Sequence, residues 1–168
     1  MMENRVKLTT WIKDILIFLI LLTFIIPIPV RFSVPAVEIK LDDKDFLEHR
    51  TINVHGWYRI NIFTDCQFSG RITISGYPET FNRMSDIQFM KDAGNGSALI
   101  YWPEDGPECI FGRFQAEFPF RRMVVLLFER SAGNSGFSTI DGRCLVARAR
   151  SYTEALKVLK AQHIVSHE

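Results

Sequence analysis

The sequence has few cysteines and no surplus of charge. Its 168 residues include only Cys66, Cys109 and Cys144, an odd number without the spacing of a disulfide framework, so at most one internal disulfide can form. Twenty lysines and arginines against nineteen aspartates and glutamates leave a formal charge of +1. Non-specific binding to a phosphate backbone is driven by a basic surplus, so we expect no nucleic-acid partner.

Motifs for catalysis and for metal binding are also missing. The sequence has no Ser-His-Asp order and no Cys-x-x-Cys pair, and Gly94–Ser97 is typical of a turn rather than of a phosphate-binding loop. The acidic stretch 42–49 lacks the spacing of a calcium-binding loop. His163 and His167 lie four residues apart but have no third ligand nearby in the sequence. We therefore expect no cofactor and no metal site.

A long apolar run is the most informative feature that is present. The segment from Ile15 to Val30 contains sixteen residues without a charge. As a helix it covers about 24 Å, whereas a bilayer core needs about 30 Å. A start at Trp11, with Thr10 as N-cap, supplies the missing length. The pattern predicts a transmembrane helix within 1–30, in contact with the membrane from Trp11 to Val30.

Two other interpretations of this run stay open. It can be a cleaved signal peptide, because Val34-Pro35-Ala36 places small residues where a signal peptidase cuts, or a buried core helix of a globular protein. Basic residues flank the run on both sides in nearly equal number. A short basic tail before an apolar run is typical of a signal-anchor, which predicts a single-pass protein of the cell membrane with an extracytoplasmic C-terminal domain.

The rest of the chain divides into a connector and a β-rich domain. Residues 31–45, with Pro35 and an acidic run, are interpreted as a juxtamembrane connector. Period-two alternation within 46–168 predicts about seven strands, including a hairpin between 52–62 and 71–75 and another between 86–90 and 98–102. Ser151 and Glu154 form a capping box that predicts a C-terminal helix. The expected fold class is α+β, a transmembrane helix followed by a mainly antiparallel β meander or sandwich with one C-terminal helix.

Cys144 is the candidate for chemistry. Arginines at positions 143, 148 and 150 can lower the pKa of a nearby thiol, and His49 or His55 is the candidate base. This inventory of anchor, cysteine, histidine and downstream arginine is similar to that of the sortase family of transpeptidases. The family's Thr-Leu-x-Thr-Cys motif is absent, because Ile140-Asp141-Gly142-Arg143 precedes the cysteine. The alternative is that Cys144 packs as a small apolar residue in a strand.

These observations favour a non-catalytic binding or accessory module with a protein or envelope partner. A cysteine-dependent enzyme of the cell envelope is one alternative. A cytoplasm-facing accessory subunit of a membrane complex is the other, suggested by the balanced flanking charges and the unpaired cysteines.

Overall fold

The structure, a computed structural model, describes residues 11–18, 26–61, 64–90, 96–117, 120, 122–131 and 134–165. Most of these residues are in antiparallel strands. The elements, in chain order, are α1 (11–18), β1 (Ile28–Lys40), β2 (Asp43–Arg59), β3 (Cys66–Ile74), a 3-10 turn (Pro78–Phe81), β4 (Arg83–Met84), β5 (Ile87–Phe89), β6 (Gly96–Trp102), β7 (Cys109–Ala116), β8 (Met123–Leu127), β9 (Glu129–Ser131), β10 (Asn134–Gly136), β11 (Arg143–Ala147) and α2 (Tyr152–Ala161).

Nine strands form one curled sheet. Their order is β4-β6-β7-β8-β11-β1-β2-β3-β5, and β9 and β10 form a separate hairpin. The sheet curls until an isolated bridge joins Met90, next to β5 at one edge, to Gly96 at the start of β6. On β2 and β3 the backbones of Gly56 and Gly70 approach so closely that a Cβ on Gly56 would lie 2.8 Å from the Gly70 Cα. A side chain does not fit at this pair.

The inner face of the curled sheet encloses the main core. Phe120 lies at its centre, with its ring centroid between 5.6 and 6.4 Å from those of five other aromatic rings. Strands β1, β8 and β11 alternate strictly between the two faces of the sheet. Their inward residues are Val34, Ala36, Met123, Val125, Leu127, Leu145 and Ala147.

A second apolar layer lies on the outer face of the same three strands. The residues that face outward are Val37, Ile39, Val124, Leu126, Cys144 and Val146. Helix α2 covers them with Ala155 and Leu159, which are fully buried. The helix begins where the capping box was predicted, because the Ser151 side chain accepts a hydrogen bond from the backbone N–H of Glu154.

The predicted transmembrane helix is wrong. Among the described residues no helix is long and apolar enough to cross a bilayer, since α1 has only eight residues, about 12 Å of length. Residues 28–30 belong to β1, where they pair with β2. Residues 1–10 and 19–25 lie outside the described part of the chain. The predictions of a signal-anchor and of a single-pass membrane protein are corrected by this finding.

The stretch interpreted as a connector, 31–45, forms most of β1 and the start of β2. Pro29 and Pro35 make a strand unexpected here from the sequence, because a proline in a central strand removes a ladder hydrogen bond. Both lie where β1 pairs only with β2, since the pairing of β1 with β11 begins at Ala36. The first half of β1 is therefore an edge, where proline is tolerated, and the second half is central.

The expected α+β class is also wrong, because the described residues form a mostly β fold with two short helices. The predicted hairpin of 52–62 with 71–75 is present as β2 and β3. The predicted ladder of 86–90 with 98–102 is wrong, because β5 pairs with β3 and meets the start of β6 only at the Met90–Gly96 bridge. The predicted turn at 91–95 lies outside the described residues. The order is not a simple meander, since β11 inserts between β8 and β1.

Candidate functional site

Cys144, the predicted nucleophile, lies in the apolar layer beneath α2. Its side chain is fully buried, and burial raises the pKa of its thiol to about 12. On the sheet, β1 separates β11 from β2, which carries His49 and His55. Two strand spacings amount to about 10 Å, too far for a hydrogen bond between the thiol and either imidazole. The described geometry thus gives Cys144 a packing role and provides no activating base.

The deepest charged residue was not singled out from the sequence. Glu38 on β1 is fully buried. Its Oε1 accepts from Arg143 Nε over 2.8 Å and from the Tyr77 hydroxyl over 2.9 Å, and its Oε2 accepts from Arg50 Nε over 2.9 Å. Arg143 Nη2 also contacts Oε1 and donates to the Tyr77 oxygen over 2.9 Å. We call Glu38, Arg50, Tyr77 and Arg143 the Glu38 cluster.

The Glu38 cluster keeps its carboxylate ionised. Burial alone raises the pKa of Glu38, but hydrogen bonds from Arg143, Arg50 and Tyr77 outweigh it, and the net pKa is lowered. Burial raises the pKa of the Tyr77 hydroxyl as well, so it stays protonated and donates. Three donor contacts fall on Oε1 and one falls on Oε2, so both oxygens of Glu38 are engaged within the protein. The arrangement is that of a structural clamp rather than of a general acid or base.

A glycine makes room for this clamp. Gly76 has a φ of +82°, and a Cβ there would lie 2.3 Å from Arg50 Nη1. The turn next to it is held because Ser75 Oγ accepts from the backbone N–H of Thr51 over 2.8 Å. Glycine therefore lets the guanidinium of Arg50 pass beneath the turn and reach Glu38.

A groove of about 450 Å³ lies on the outer face of β7 and β8, beside the end of α2. We call it the Gln115 groove. On β7 and β8, Arg113 pairs with Leu126 and Gln115 pairs with Val124, so both polar side chains lie on the outer face. The lining residues are Arg113, Gln115, Leu126, Phe128, Phe137, Thr139, Gln162, His163 and Ile164.

Two amide oxygens in this groove are buried without a hydrogen-bond partner. Gln115 is 9% exposed, and its Oε1 has no donor among the described residues. Gln162 Oε1 is also buried and unpaired, although Gln162 Nε2 donates to the backbone oxygen of Arg122 over 3.1 Å. Buried polar atoms are paired in the great majority of protein structures, so these two oxygens require either a water molecule or a ligand as a partner.

The end of α2 shapes one wall of the groove. The backbone N–H of His163 donates to Lys160 and that of Ile164 donates to Leu159, which is the Schellman arrangement. His163 occupies the left-handed position with a φ of +56°, where glycine is the usual residue. This helix end places His163 in the lining of the groove.

Within the period-two pattern of 46–168, residues 112–120 alternate between apolar and polar side chains, which places Arg113 and Gln115 on the polar face of a predicted strand. This alternation does not reveal that Gln115 is buried, because the segments that cover its side chain come later in the chain. His163 was considered with His167 as a metal pair, and His167 lies outside the described residues. The described part of the chain contains no group of three or more His, Cys, Asp or Glu that could hold a metal ion.

Comparison of this chain with known protein families, with curated proteins and with solved structures gives no match. The geometry of the Gln115 groove is therefore the basis on which a function is inferred.

Proposed function

We propose that this protein is a non-catalytic binding domain that holds a small ligand in the Gln115 groove. The observation that carries the proposal is the buried, unpaired Oε1 of Gln115. An unsatisfied buried acceptor costs a fold about 1–3 kcal/mol. A ligand that donates a hydrogen bond to this oxygen removes the cost, and the free energy recovered in this way favours binding.

The volume of the groove supports the same proposal. Ligand sites are concave, with volumes of about 300–1,000 Å³. The Gln115 groove, at about 450 Å³, lies in this range, and its lining combines four apolar side chains with five polar ones. A protein or envelope partner, expected from the sequence, stays a prediction.

The test is a titration of the full-length ¹⁵N-labelled protein with a library of small metabolites, followed by NMR. We expect saturable shifts confined to Arg113, Gln115 and the 162–164 segment. Replacement of Gln115 by Met keeps the length and apolar stem of the side chain but removes the amide, so the shifts should be lost. Gln88→Met is the matched control, because Gln88 is an exposed glutamine on β5.

Two results would contradict the proposal. One is a library in which no compound shifts the groove resonances. The other is binding that Gln115→Met and Gln88→Met leave equally intact. A bound water alone would satisfy Gln115 without producing a saturable response to any ligand.

A further inference from the structure

We infer that the ligand of the Gln115 groove is a small anion that also carries neutral hydrogen-bond donors, either hydroxyl groups or N–H groups. This inference depends on the proposed function, because it assigns a chemical class to the ligand of the same groove. Sugar phosphates and mononucleotides share this chemistry, and the experiment below distinguishes between them.

The two unpaired amide oxygens show that the ligand must carry hydrogen-bond donors. Gln115 Oε1 and Gln162 Oε1 can only accept hydrogen bonds, so a ligand that satisfies them must present N–H or O–H groups. The amide of Gln162 is oriented by the bond from its Nε2 to the Arg122 carbonyl, which assigns the oxygen and not the nitrogen to the unpaired position. A bare anion without donors leaves both oxygens unsatisfied.

The negative charge of the ligand is inferred from the side chains around these oxygens. Arg113 is the one permanently charged residue among the nine that line the groove, and none of the nine is a carboxylate. A guanidinium has five N–H donors, so Arg113 can bind an anion while it keeps its contacts within the protein. A cationic donor such as an ammonium group is disfavoured beside Arg113.

The end of α2 does not reverse the preference of the groove for an anion. A helix carries partial negative charge at its carbonyl end, which favours cations. The carbonyls of Val158, Leu159 and Lys160 already accept from the N–H groups of Gln162, Ile164 and His163. The last turn is thus closed by its own backbone donors, and it offers the ligand few free acceptors.

The apolar side chains require more than a charged group. Phe128 and Phe137 contribute aromatic surface, and Leu126 and Ile164 contribute aliphatic surface. The C–H face of a sugar ring or the face of a nucleobase can pack on such walls. A free phosphate ion has no apolar surface to bury there.

Isothermal titration calorimetry of the full chain with four probes tests the inference. The probes are glucose 6-phosphate, AMP, glucose and inorganic phosphate. We expect glucose 6-phosphate or AMP to bind at least about tenfold more tightly than both glucose and phosphate, about 1.4 kcal/mol in binding free energy. Preference for glucose 6-phosphate would identify a sugar phosphate as the ligand class, and preference for AMP would identify a mononucleotide, which offers both ribose hydroxyls and a base amino group as donors.

Three variants assign the interaction to its residues. Gln115→Met should weaken the preferred probe at least about tenfold, and Gln115→Glu should weaken it further because it adds a like charge beside the anion. Arg113→Gln should reduce the affinity for the phosphorylated probe to that for its uncharged counterpart, with little change for glucose. Gln88→Met should leave every affinity unchanged. NMR spectra of each variant establish that it is folded before its affinity is interpreted.

Several outcomes would overturn the inference. Inorganic phosphate that binds as tightly as the phosphorylated probes would show an adventitious ion only. Glucose that binds as tightly as glucose 6-phosphate would contradict the need for negative charge. Failure of both phosphorylated probes would reject this ligand class, whereas the proposed function would still stand if a neutral or cationic library compound shifts the groove resonances.

Discussion

Arg143 donates through Nε to the buried carboxylate of Glu38 over 2.8 Å and so joins two neighbouring strands across 105 residues of sequence. Glu38 is on β1 and Arg143 is on β11, and Arg50 on β2 binds the other oxygen of the same carboxylate. One side chain thereby ties three adjacent strands together at one place in the curled sheet. Much of the stability of this region should depend on Glu38.

Replacement of Glu38 by Gln should lower the free energy of unfolding by about 3 kcal/mol, because it removes the buried charge that pairs with both Arg50 and Arg143. Urea denaturation at pH 7 measures the change. The control is Glu48→Gln, because Glu48 also pairs with Arg50 but its side chain is 46% exposed. An exposed pair contributes about 0–1 kcal/mol, so equal effects of the two variants would contradict the clamp.

The stabilisation by Glu38 should depend on pH below its ordinary pKa of about 4.5. Its folded-state pKa is lowered, so the unfolded chain takes up the proton first as the pH falls. The contribution is therefore complete above about pH 4.5 and is lost as the pH falls through the folded-state pKa. Urea denaturation at pH 7, 4.5 and 3 should show the difference between the wild type and Glu38→Gln becoming smaller. A difference that stays constant would rule out this linkage.

Phe120 should be among the costliest residues to truncate. Phe120→Ala removes a buried ring that contacts five other rings, so it should cost about 3–5 kcal/mol of unfolding free energy. Its φ is +63°, which glycine adopts without strain. Phe120→Gly should thus be no worse than Phe120→Ala, the reverse of their order in ordinary backbone. Phe81→Ala, at a position that is 58% exposed, should change stability by less than about 0.5 kcal/mol.

The three thiols should react with iodoacetamide at different rates in the native protein. Cys66 is half-buried, whereas Cys109 and Cys144 are buried. Native protein at pH 8 should therefore take up one label, at Cys66, and denatured protein should take up three, as counted by intact mass spectrometry. Cys66→Ser should remain unlabelled until it is unfolded. Labelling of Cys144 at the rate of Cys66 would contradict its burial and its raised pKa.

Local patterns predicted several parts of this fold. The alternation around Val54 and Ile72 indicated two paired strands, and these residues face each other across β2 and β3. Ser151 and Glu154 predicted the start of α2, because a capping box involves only residues three positions apart. Both features depend on neighbours in sequence or on the intrinsic period of a strand, so one sequence suffices to predict them.

The N-terminal part shows where local patterns fail. Residues from Ile15 to Val30 form one apolar run in the sequence, yet residues 28–30 continue into a strand. Apolar runs do not distinguish a helix from a buried strand by themselves, and the pairing partners of β1 settle the matter. For residues 28–30 the partner is β2, whose matching residues 56–58 come more than 25 residues later in the chain.

The sequence by itself determined the period of the strands, the cap of α2 and the near-neutral charge, because these follow from composition and from residues close together in the chain. Only the tertiary structure decided that Glu38 is clamped by two arginines and that Gln115 is buried. Those properties arise from contacts between segments far apart in sequence. Glu38 is paired only when β11 and the turn at Gly76 are in place, and Gln115 is buried only when the end of α2 lies beside it.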